Sequence, residues 1–234
     1  MFTIRRSEER GHADHGWLDS HHTFSFANYY DPKHMGFRAL RVINDDRVAP
    51  GRGFGAHPHR DMEILSYVVD GRLAHKDSMG HKEEIGPNEI QHMSAGSGTV
   101  HSEFNGSASE PVHFLQIWIE PRTTGTPPRY EQLGFAAEEK QNKLKLLASP
   151  DREPGAAQIN QDARVWVTEL AEGAQVDYAL DTNRYAWVHV IEGKVELNGH
   201  VLSTGDAAAV SKEANLKLLG LGGEKNEVMI FDLA

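Results

Sequence analysis

Residues 51–73 read GRGFGAHPHRDMEILSYVVDGRL, and residues 94–103 read SAGSGTVHSE. Each stretch holds a pair of metal-binding side chains two positions apart, His57 with His59 and His101 with Glu103. In a β-strand, residues i and i+2 share a face and lie about 6 to 7 Å apart. Two such pairs on adjacent strands of a barrel would direct three imidazoles and one carboxylate at one interior point. The pattern predicts a metal site with room left for a substrate.

The setting of the two pairs matters, because the chain contains 14 histidines and a single His-x-His pair carries little weight. A glycine-rich turn at residues 95–98 leads into His101, and the turn signal Asp70-Gly71 closes the first stretch. The histidines before residue 51 lack a paired strand spacing to a carboxylate, so we expect most of them to be loop or surface residues. They are His12, His15, His21, His22 and His34.

Short strand-like segments separated by turns fill the first half. The run from Met62 to Val69 is almost entirely apolar and predicts a buried strand, residues 72–76 form another, and Gly86-Pro87 marks a reversal. The segment from Val112 to Glu120 is rich in Phe, Leu, Ile and Trp and predicts the last strand of a first barrel. Short strands at regular turn spacing are typical of a sandwich or barrel, so we expect an all-β fold.

A connector rich in threonine and proline, residues 121–128, divides the chain. Beyond it the strand pattern repeats: VVDGRL at residues 68–73 is matched by VIEGKV at residues 190–195, an offset of 122 residues. Such self-similarity indicates a duplicated domain. We therefore predict a metal-binding N-terminal domain at 1–125 and a C-terminal domain at 126–234.

The offset also tests whether the second half binds a metal. At the positions that match the first histidine pair it has Ala179 and Asp181, and the region that matches the second pair falls near Gly220 without an imidazole. The remaining histidines of this half, His189 and His200, are isolated. The C-terminal domain is therefore predicted to be structural or a docking surface, without metal ligands.

Composition limits the classes of function. The 34 acidic and 24 basic side chains give a net charge of −10, which would repel a phosphate backbone, so we expect no direct nucleic-acid binding. The chain has no cysteine, so disulfides and thiolate ligands are excluded. No apolar run approaches the length of a membrane span, and the first residues do not resemble a secretory signal. We expect a cytoplasmic protein.

Further segments accompany the two metal-binding pairs. They are GWLDS at 16–20, TFSFANYYDP at 23–32, LRVINDD at 40–46, HPHRDME at 57–63 and MSAG at 93–96. Together they are spread through the first 120 residues and resemble the pirin branch of the cupin superfamily, most closely its bacterial members with quercetin 2,3-dioxygenase activity. The resemblance implies two cupin barrels in tandem, each a double-stranded β-helix or jelly roll, hence a bicupin. It also implies one metal ligand set: His57, His59, His101 and Glu103.

A second glutamate, Glu63, competes for the carboxylate position, since many cupins use a glutamate of the first motif. If its strand stays extended, Glu63 lies about 13 Å beyond His59, too far to share an ion whose ligand bonds are near 2.1 Å. Only a sharp bend or a hairpin would bring it back. We therefore predict Glu103 as the fourth ligand and Glu63 as a supporting residue.

The donor set limits which metal ions the site can bind. Three neutral imidazoles and one carboxylate leave a divalent cation with net positive charge and one or two open positions. Nitrogen and oxygen donors without sulfur suit Fe(II), Mn(II), Co(II), Ni(II) or Cu(II), and zinc is an option. We expect one ion per chain, and the resemblance to pirin implies iron first.

The resemblance to pirin-type quercetinases also implies a reaction. A flavonol binds the metal through its 3-hydroxyl oxygen, and dioxygen opens the central heterocycle with loss of carbon monoxide. The metal polarises the hydroxyl, and Glu103 accepts its proton. The implied partners are a small aromatic substrate and dioxygen. The alternative is a non-enzymatic regulator, in which a metal-containing barrel docks onto a protein partner and responds to redox state.

Overall fold

The computed structural model describes residues 1–223 and 225–234, and strands joined by turns dominate it. The strands up to residue 135 are β1 Phe2–Arg5, β2 Gly11–Asp14, β3 Leu18–His22, β4 Leu40–Val48, β5 Gly53–His59, β6 Glu63–Asp70, β7 Leu73–Asp77, β8 Lys82–Ile85, β9 Glu89–Ser94, β10 Thr99–Asn105, β11 Val112–Ile119 and β12 Arg129–Gly134. The later strands are β13 Lys145–Ser149, β14 Ala157–Gln158, β15 Ala163–Leu170, β16 Gln175–Ala179, β17 Tyr185–Glu192, β18 Lys194–Leu197, β19 His200–Ser203, β20 Ala207–Ser211, β21 Asn215–Gly220 and β22 Asn226–Leu233.

Helical structure is limited to two short 3₁₀ turns in the described chain, Ser7–Glu9 and Ala137–Glu139. Neither these nor any other described segment forms a helix long and apolar enough to cross a membrane. The predicted all-β class is confirmed.

Two compact units make up the chain. The N-terminal unit contains Gly11–Phe135 and Ile159–Gln161, and the C-terminal unit contains Met1–Arg10, Ala136–Gln158 and Asp162–Ala234. This grouping differs from the predicted limits, 1–125 and 126–234, at both ends of the first half. Those limits stay a prediction about independently folding domains.

The N-terminal unit consists of two antiparallel sheets. The larger has the strand order β12-β9-β6-β11-β4-β3-β2, and the smaller has the order β5-β10-β7-β8. Apolar side chains from both sheets form a buried cluster: Leu18, Val48, Val68, Leu73, Ile85, Val112 and Phe114. Burial of alternate side chains from two facing sheets is the usual way in which such a barrel is stabilised.

The C-terminal unit repeats this layout, with the strand orders β1-β20-β17-β22-β15-β13-β14 and β16-β21-β18-β19. The turns that carry the internal repeat also match, since Gly71 has φ +81° and Gly193 has φ +86°. A Cβ at Gly71 would lie 2.5 Å from the Pro111 carbonyl oxygen, and one at Gly193 would lie 2.3 Å from that of Lys225. Only glycine fits this turn, in which the chain reverses against a neighbouring strand.

Candidate metal centre

The smaller sheet of the N-terminal unit brings the three predicted imidazoles together. Strand β10 lies between β5 and β7, and His101 is paired directly with His57. Because His57 and His59 are two residues apart on one strand, their side chains share a face. The three ring centroids lie 4.5 to 4.8 Å from one another. The i, i+2 spacing therefore produces the cluster that the sequence predicts.

A β-bulge orients the first imidazole. Opposite β10 the register shifts, so that His101 pairs with His57 but Glu103 pairs with Phe54, which gives β5 one extra residue. Within the bulge, His57 Nδ1 lies 2.8 Å from the carbonyl oxygen of Gly55. A carbonyl oxygen only accepts, so Nδ1 is the donor and Nε2 of His57 carries the lone pair.

The nitrogens of the cluster fit a divalent metal. His57 Nε2 and His101 Nε2 are 3.1 Å apart, close to the separation of about 3.0 Å expected for two ligands at right angles on one ion with bonds of about 2.1 Å. His59 Nε2 is buried without a hydrogen-bond partner in the described structure. An ion would satisfy these converging nitrogen atoms, including His59 Nε2.

The protonation state of the cluster favours metal binding as well. Burial, together with the neighbouring His57 ring, lowers the pKa of His59 to about 4. Burial and the adjoining imidazoles lower the pKa of His101 to about 2. Both rings are therefore neutral at physiological pH, which is the form that coordinates a metal.

Glu103 lies beside this cluster and is buried. Its Oε1 accepts a hydrogen bond from Ser66 Oγ at 3.0 Å, and its Oε2 accepts one from Gln116 Nε2 at 2.7 Å. Burial raises the pKa of Glu103 to about 7, against the opposing effect of these hydrogen bonds. Its carboxylate lies within 4.8 Å of potential ligand atoms of His75 and His101, whereas the triad of His57, His59 and His101 forms a separate group. Its role as fourth ligand stays a prediction.

His75 was not predicted from the sequence. It lies opposite Glu103 on β7, is buried, and stacks on Tyr130 with ring centroids 4.8 Å apart. Its Nε2 is 3.1 Å from Asp77 Oδ2, and its Nδ1 is 3.2 Å from Gln91 Nε2. Because both ring nitrogens have partners, the orientation of this imidazole is fixed. The spacing of His75 and Asp77, again i and i+2, was the available signal.

Glu63 lies outside the cluster. Its strand does not stay extended, because β5 ends at His59 and a turn separates it from β6. Even so, the Glu63 carboxylate is used elsewhere: it accepts hydrogen bonds from His92 Nε2 at 2.7 Å, from Ser94 Oγ at 2.6 Å and from the Asn160 amide at 3.2 Å. In the described residues Glu63 belongs to no group with metal-binding geometry.

The expectation that the histidines before residue 51 lack a strand spacing to a carboxylate was wrong for His21. His12 and His21 are cross-strand partners on β2 and β3, with stacked rings 4.5 Å apart, and His12 Nε2 lies 2.8 Å from Asp19 Oδ1. Asp19 and His21 are two residues apart on β3, so the strand spacing to a carboxylate does occur here. These three residues form a further, more exposed group of potential ligands.

A cavity of about 510 Å³ adjoins the cluster within the N-terminal unit, and His57, Glu103 and Gln116 line it. Most of the wall is aromatic or apolar, and its rings are Trp17, Phe26, Tyr29, Phe54, Phe114 and Trp118. The indole of Trp118 contacts the His59 ring edge-on at 5.0 Å and the Phe26 ring at 5.4 Å. An apolar cavity with a few converging polar groups is the usual form of a small-molecule site.

Comparison with known proteins places this geometry in context. The family model described as Pirin matches residues 3–119, and the one described as Quercetinase C-terminal cupin domain matches residues 146–233. The chain is 48% identical over 233 residues to a quercetin 2,3-dioxygenase of Escherichia coli (strain K12), which covers 100% of this chain and 99% of the relative. It is 41% identical over 235 residues to a pirin-like protein of Caulobacter vibrioides, which covers both chains completely.

Among solved structures, the bacterial pirin YhhW of Escherichia coli in complex with nickel(II) superposes with a TM-score of 0.93 at 47% identity. The match covers 100% of this chain and 99% of that one. Together with the two family models, this confirms the predicted bicupin architecture.

Proposed function

The chain belongs to the pirin family of the cupin superfamily, and we propose that it is a metal-dependent dioxygenase that opens the central ring of a flavonol with release of carbon monoxide. The observation that carries the proposal is the cluster of neutral imidazoles beside an aromatic-lined cavity. The relative named quercetin 2,3-dioxygenase supports the substrate class and dioxygen as partner. A cytoplasmic location stays a prediction.

One divalent metal ion per chain is supported by the cluster and by the nickel-bound relative. We propose His57, His59 and His101 as ligands, with Glu103 as the fourth. When bound, the ion supplies a Lewis acid for the substrate hydroxyl and a centre for electron exchange with dioxygen. Its native identity stays a prediction, with iron first and manganese, nickel, cobalt, copper or zinc as the alternatives.

The side chains around the ion have separate tasks. Glu103 lines the cavity and, held by Ser66 and Gln116, presents a carboxylate oxygen that accepts the proton of the substrate hydroxyl. Phe26 and Trp118 offer flat apolar faces against which the aromatic rings pack, and their bulk keeps water from the reacting carbon atoms.

The test is reconstitution of the metal-free protein with Fe(II), Mn(II), Co(II) or Ni(II), followed by quercetin and oxygen, with carbon monoxide as the measured product. We expect carbon monoxide in proportion to the flavonol consumed with at least one metal, and none from His57→Ala. The matched control is His189→Ala in the C-terminal unit, which should keep the activity. Consumption of no flavonol with any metal would remove the proposal, and metal-dependent co-purification of a protein partner would then favour the regulatory alternative.

A further inference from the structure

The cavity has a second polar region, which the proposed chemistry does not use. Across four neighbouring strands of the larger sheet, Ser66 pairs with Gln116, Gln116 with Asn44, and Asn44 with His22. These four residues form one polar row. Ser66 and Gln116 bind Glu103, whereas Asn44 and His22 line the cavity farther along. Because adjacent strands lie about 4.8 Å apart, His22 is about 10 Å from Gln116 across the sheet.

Asp46 lies beside the remote end of this row. It is two residues from Asn44 on β4, pairs with Ser20 on β3, and lines the cavity although only 4% of its surface is exposed. Its Oδ1 accepts a hydrogen bond from Ser20 Oγ. Among the described residues, its Oδ2 has no hydrogen-bond partner. One oxygen of a buried carboxyl group is therefore available to a molecule in the cavity.

The electrostatic setting defines which ligand this oxygen suits. Burial raises the pKa of Asp46 to about 7, and the charges of Asp45 and Glu103 act in the same direction, against the hydrogen bond from Ser20. Near neutral pH the group is therefore partly protonated, so that it can both donate and accept a hydrogen bond. A second anion would be repelled by Asp46 and Glu103, whereas a neutral hydroxyl group matches both states of the carboxyl group.

The neighbouring side chains support this choice. His22 Nδ1 lies 2.9 Å from Asn44 Oδ1, which leaves the Asn44 amide nitrogen without a partner in the described structure. Most of the remaining cavity wall is aromatic or apolar, and it includes Phe114, the cross-strand partner of Asp46. A ligand that fits must therefore be polar at both ends and flat and apolar in the middle. A ligand without a remote hydroxyl would leave a buried polar atom unpaired, so it should bind more weakly than one that has this hydroxyl.

We propose that Asp46, with Asn44 beside it, forms a hydroxyl-binding subsite that selects aromatic substrates with phenolic hydroxyl groups on the ring farthest from the metal. The subsite rests on the proposed function, because it assumes that the other end of the substrate lies at the imidazoles. Asp46 is a specificity residue in this scheme, since it binds the substrate without taking part in ring opening.

The experiment compares two flavonols that differ only on the remote ring: quercetin, which has two hydroxyl groups there, and galangin, which has none. Dissociation constants are measured without oxygen on the nickel-loaded protein by quenching of tryptophan fluorescence. We expect quercetin to bind more tightly than galangin by about threefold to tenfold, the contribution of one net hydrogen bond. Asp46→Leu should remove this preference, and Asp46→Asn should keep most of it.

The matched control is Asp45→Asn, which changes the adjacent buried carboxyl group, bound to Arg47 and His113 and absent from the cavity wall. It should keep the preference for quercetin. Equal affinities of the wild-type protein for the two flavonols would overturn the subsite without any variant, and so would an unchanged preference in Asp46→Leu.

Failure of the proposed function gives a different result. If the preference depends on Asp46 but no carbon monoxide forms under oxygen, the subsite stands and the dioxygenase activity is wrong. If carbon monoxide forms from both flavonols at equal affinity, the activity stands and the subsite is wrong. If neither flavonol binds, both proposals are overturned.

Discussion

The two units of this chain share one framework but differ in what points inward. The internal repeat aligns Ser66 with Val188, and the registers extend the match strand by strand. The N-terminal row of Ser66, Gln116, Asn44 and His22 corresponds to a C-terminal row of Val188, Ile230, Trp166 and Leu146. In the C-terminal unit, apolar side chains thus replace the polar row that lies along the cavity of the N-terminal unit.

The smaller sheets differ in the same way. Where β5 and β10 carry imidazoles, the corresponding strands β16 and β21 contribute Val176, Leu216 and Leu218 to a buried apolar cluster. The described residues of the C-terminal unit contain no group of three potential metal ligands. Strand order, turns and apolar alternation therefore maintain the fold in both units, and a small number of inward side chains decide whether the interior holds a metal.

The largest test of this comparison is removal of an imidazole from each unit. His101→Ala should lose the bound ion completely at micromolar metal, because it removes one of three converging nitrogens from an already positive centre. His189→Ala in the C-terminal unit should keep one ion per chain. Elemental analysis of the purified proteins measures both. Retention of the ion by His101→Ala would show that the metal is bound elsewhere.

The buried carboxyl group of Asp46 should make the stability of the N-terminal unit depend on pH, whereas the matching position of the C-terminal unit holds Thr168, which does not ionise. The pKa of Asp46 is raised by burial from 3.8 to about 7, so its favourable contribution is complete below pH 3.8 and is lost as the pH rises towards 7. Between pH 5 and pH 8, the metal-free wild-type protein should lose about 3 kcal/mol of stability relative to Asp46→Asn.

Urea denaturation at the two pH values measures this difference. Glu103, which is present in both proteins, also titrates near pH 7 and therefore largely cancels. Thr168→Val, which changes no ionisable group, is the control and should follow the wild-type pH dependence. A difference between wild type and Asp46→Asn that is independent of pH would mean that Asp46 is ionised in the folded protein at pH 5.

Glu103→Gln separates metal binding from proton transfer. A glutamine oxygen can still approach the ion, but an amide has almost no basicity, and general-base catalysis is typically worth about 10²- to 10⁴-fold. With metal occupancy restored by excess metal, Glu103→Gln should lose at least about a hundredfold in turnover. Glu63→Gln is the control and should lose neither metal nor turnover. Metal loss from Glu63→Gln would instead mean that Glu63 is the fourth ligand.

A smaller effect is expected when one residue of the polar row is replaced by an apolar residue like those of the C-terminal row. Gln116→Leu removes the donor to Glu103 Oε2 and should weaken metal affinity by about tenfold, the lower end of the effect of groups that orient metal ligands. The reciprocal change, Ile230→Gln, should give the C-terminal unit no metal binding. Competition with a chelator of known affinity measures both. An unchanged affinity in Gln116→Leu would mean that Gln116 does not position Glu103.

The residues of the site differ in how readily they can be predicted from the sequence. His57, His59 and His101 could be predicted because i, i+2 spacing acts within a strand, and the glycine turns marked where those strands begin and end. The ring of His75 was harder to assign, since its position opposite Glu103 depends on the register of β7 against β10. Register is set by the whole sheet rather than by a local motif.

The polar row depends on strand register in the same way and was not predicted. Gln116 is the single amide in an otherwise apolar stretch of β11, which was a local signal, but its partners Asn44 and Ser66 come from strands about 50 to 70 residues away in sequence. The shape of the cavity follows from how these strands pair. Sequence spacing alone therefore gave the cluster of imidazoles and not the pocket that adjoins it.

The first strand of the chain, β1, belongs to the C-terminal unit, and this has a consequence for the order of folding. In the C-terminal unit, β1 pairs with β20, whereas in the N-terminal unit the corresponding edge position beside β9 is taken by β12. The N-terminal unit can thus form its sheets as soon as residues up to about 135 have left the ribosome. Strand β1 must wait for a partner about 200 residues later, so closure of the C-terminal sheet is a late, long-range step. Until that partner is synthesised β1 is an unpaired strand, and this interval is when the chain is most exposed to pairing with another copy.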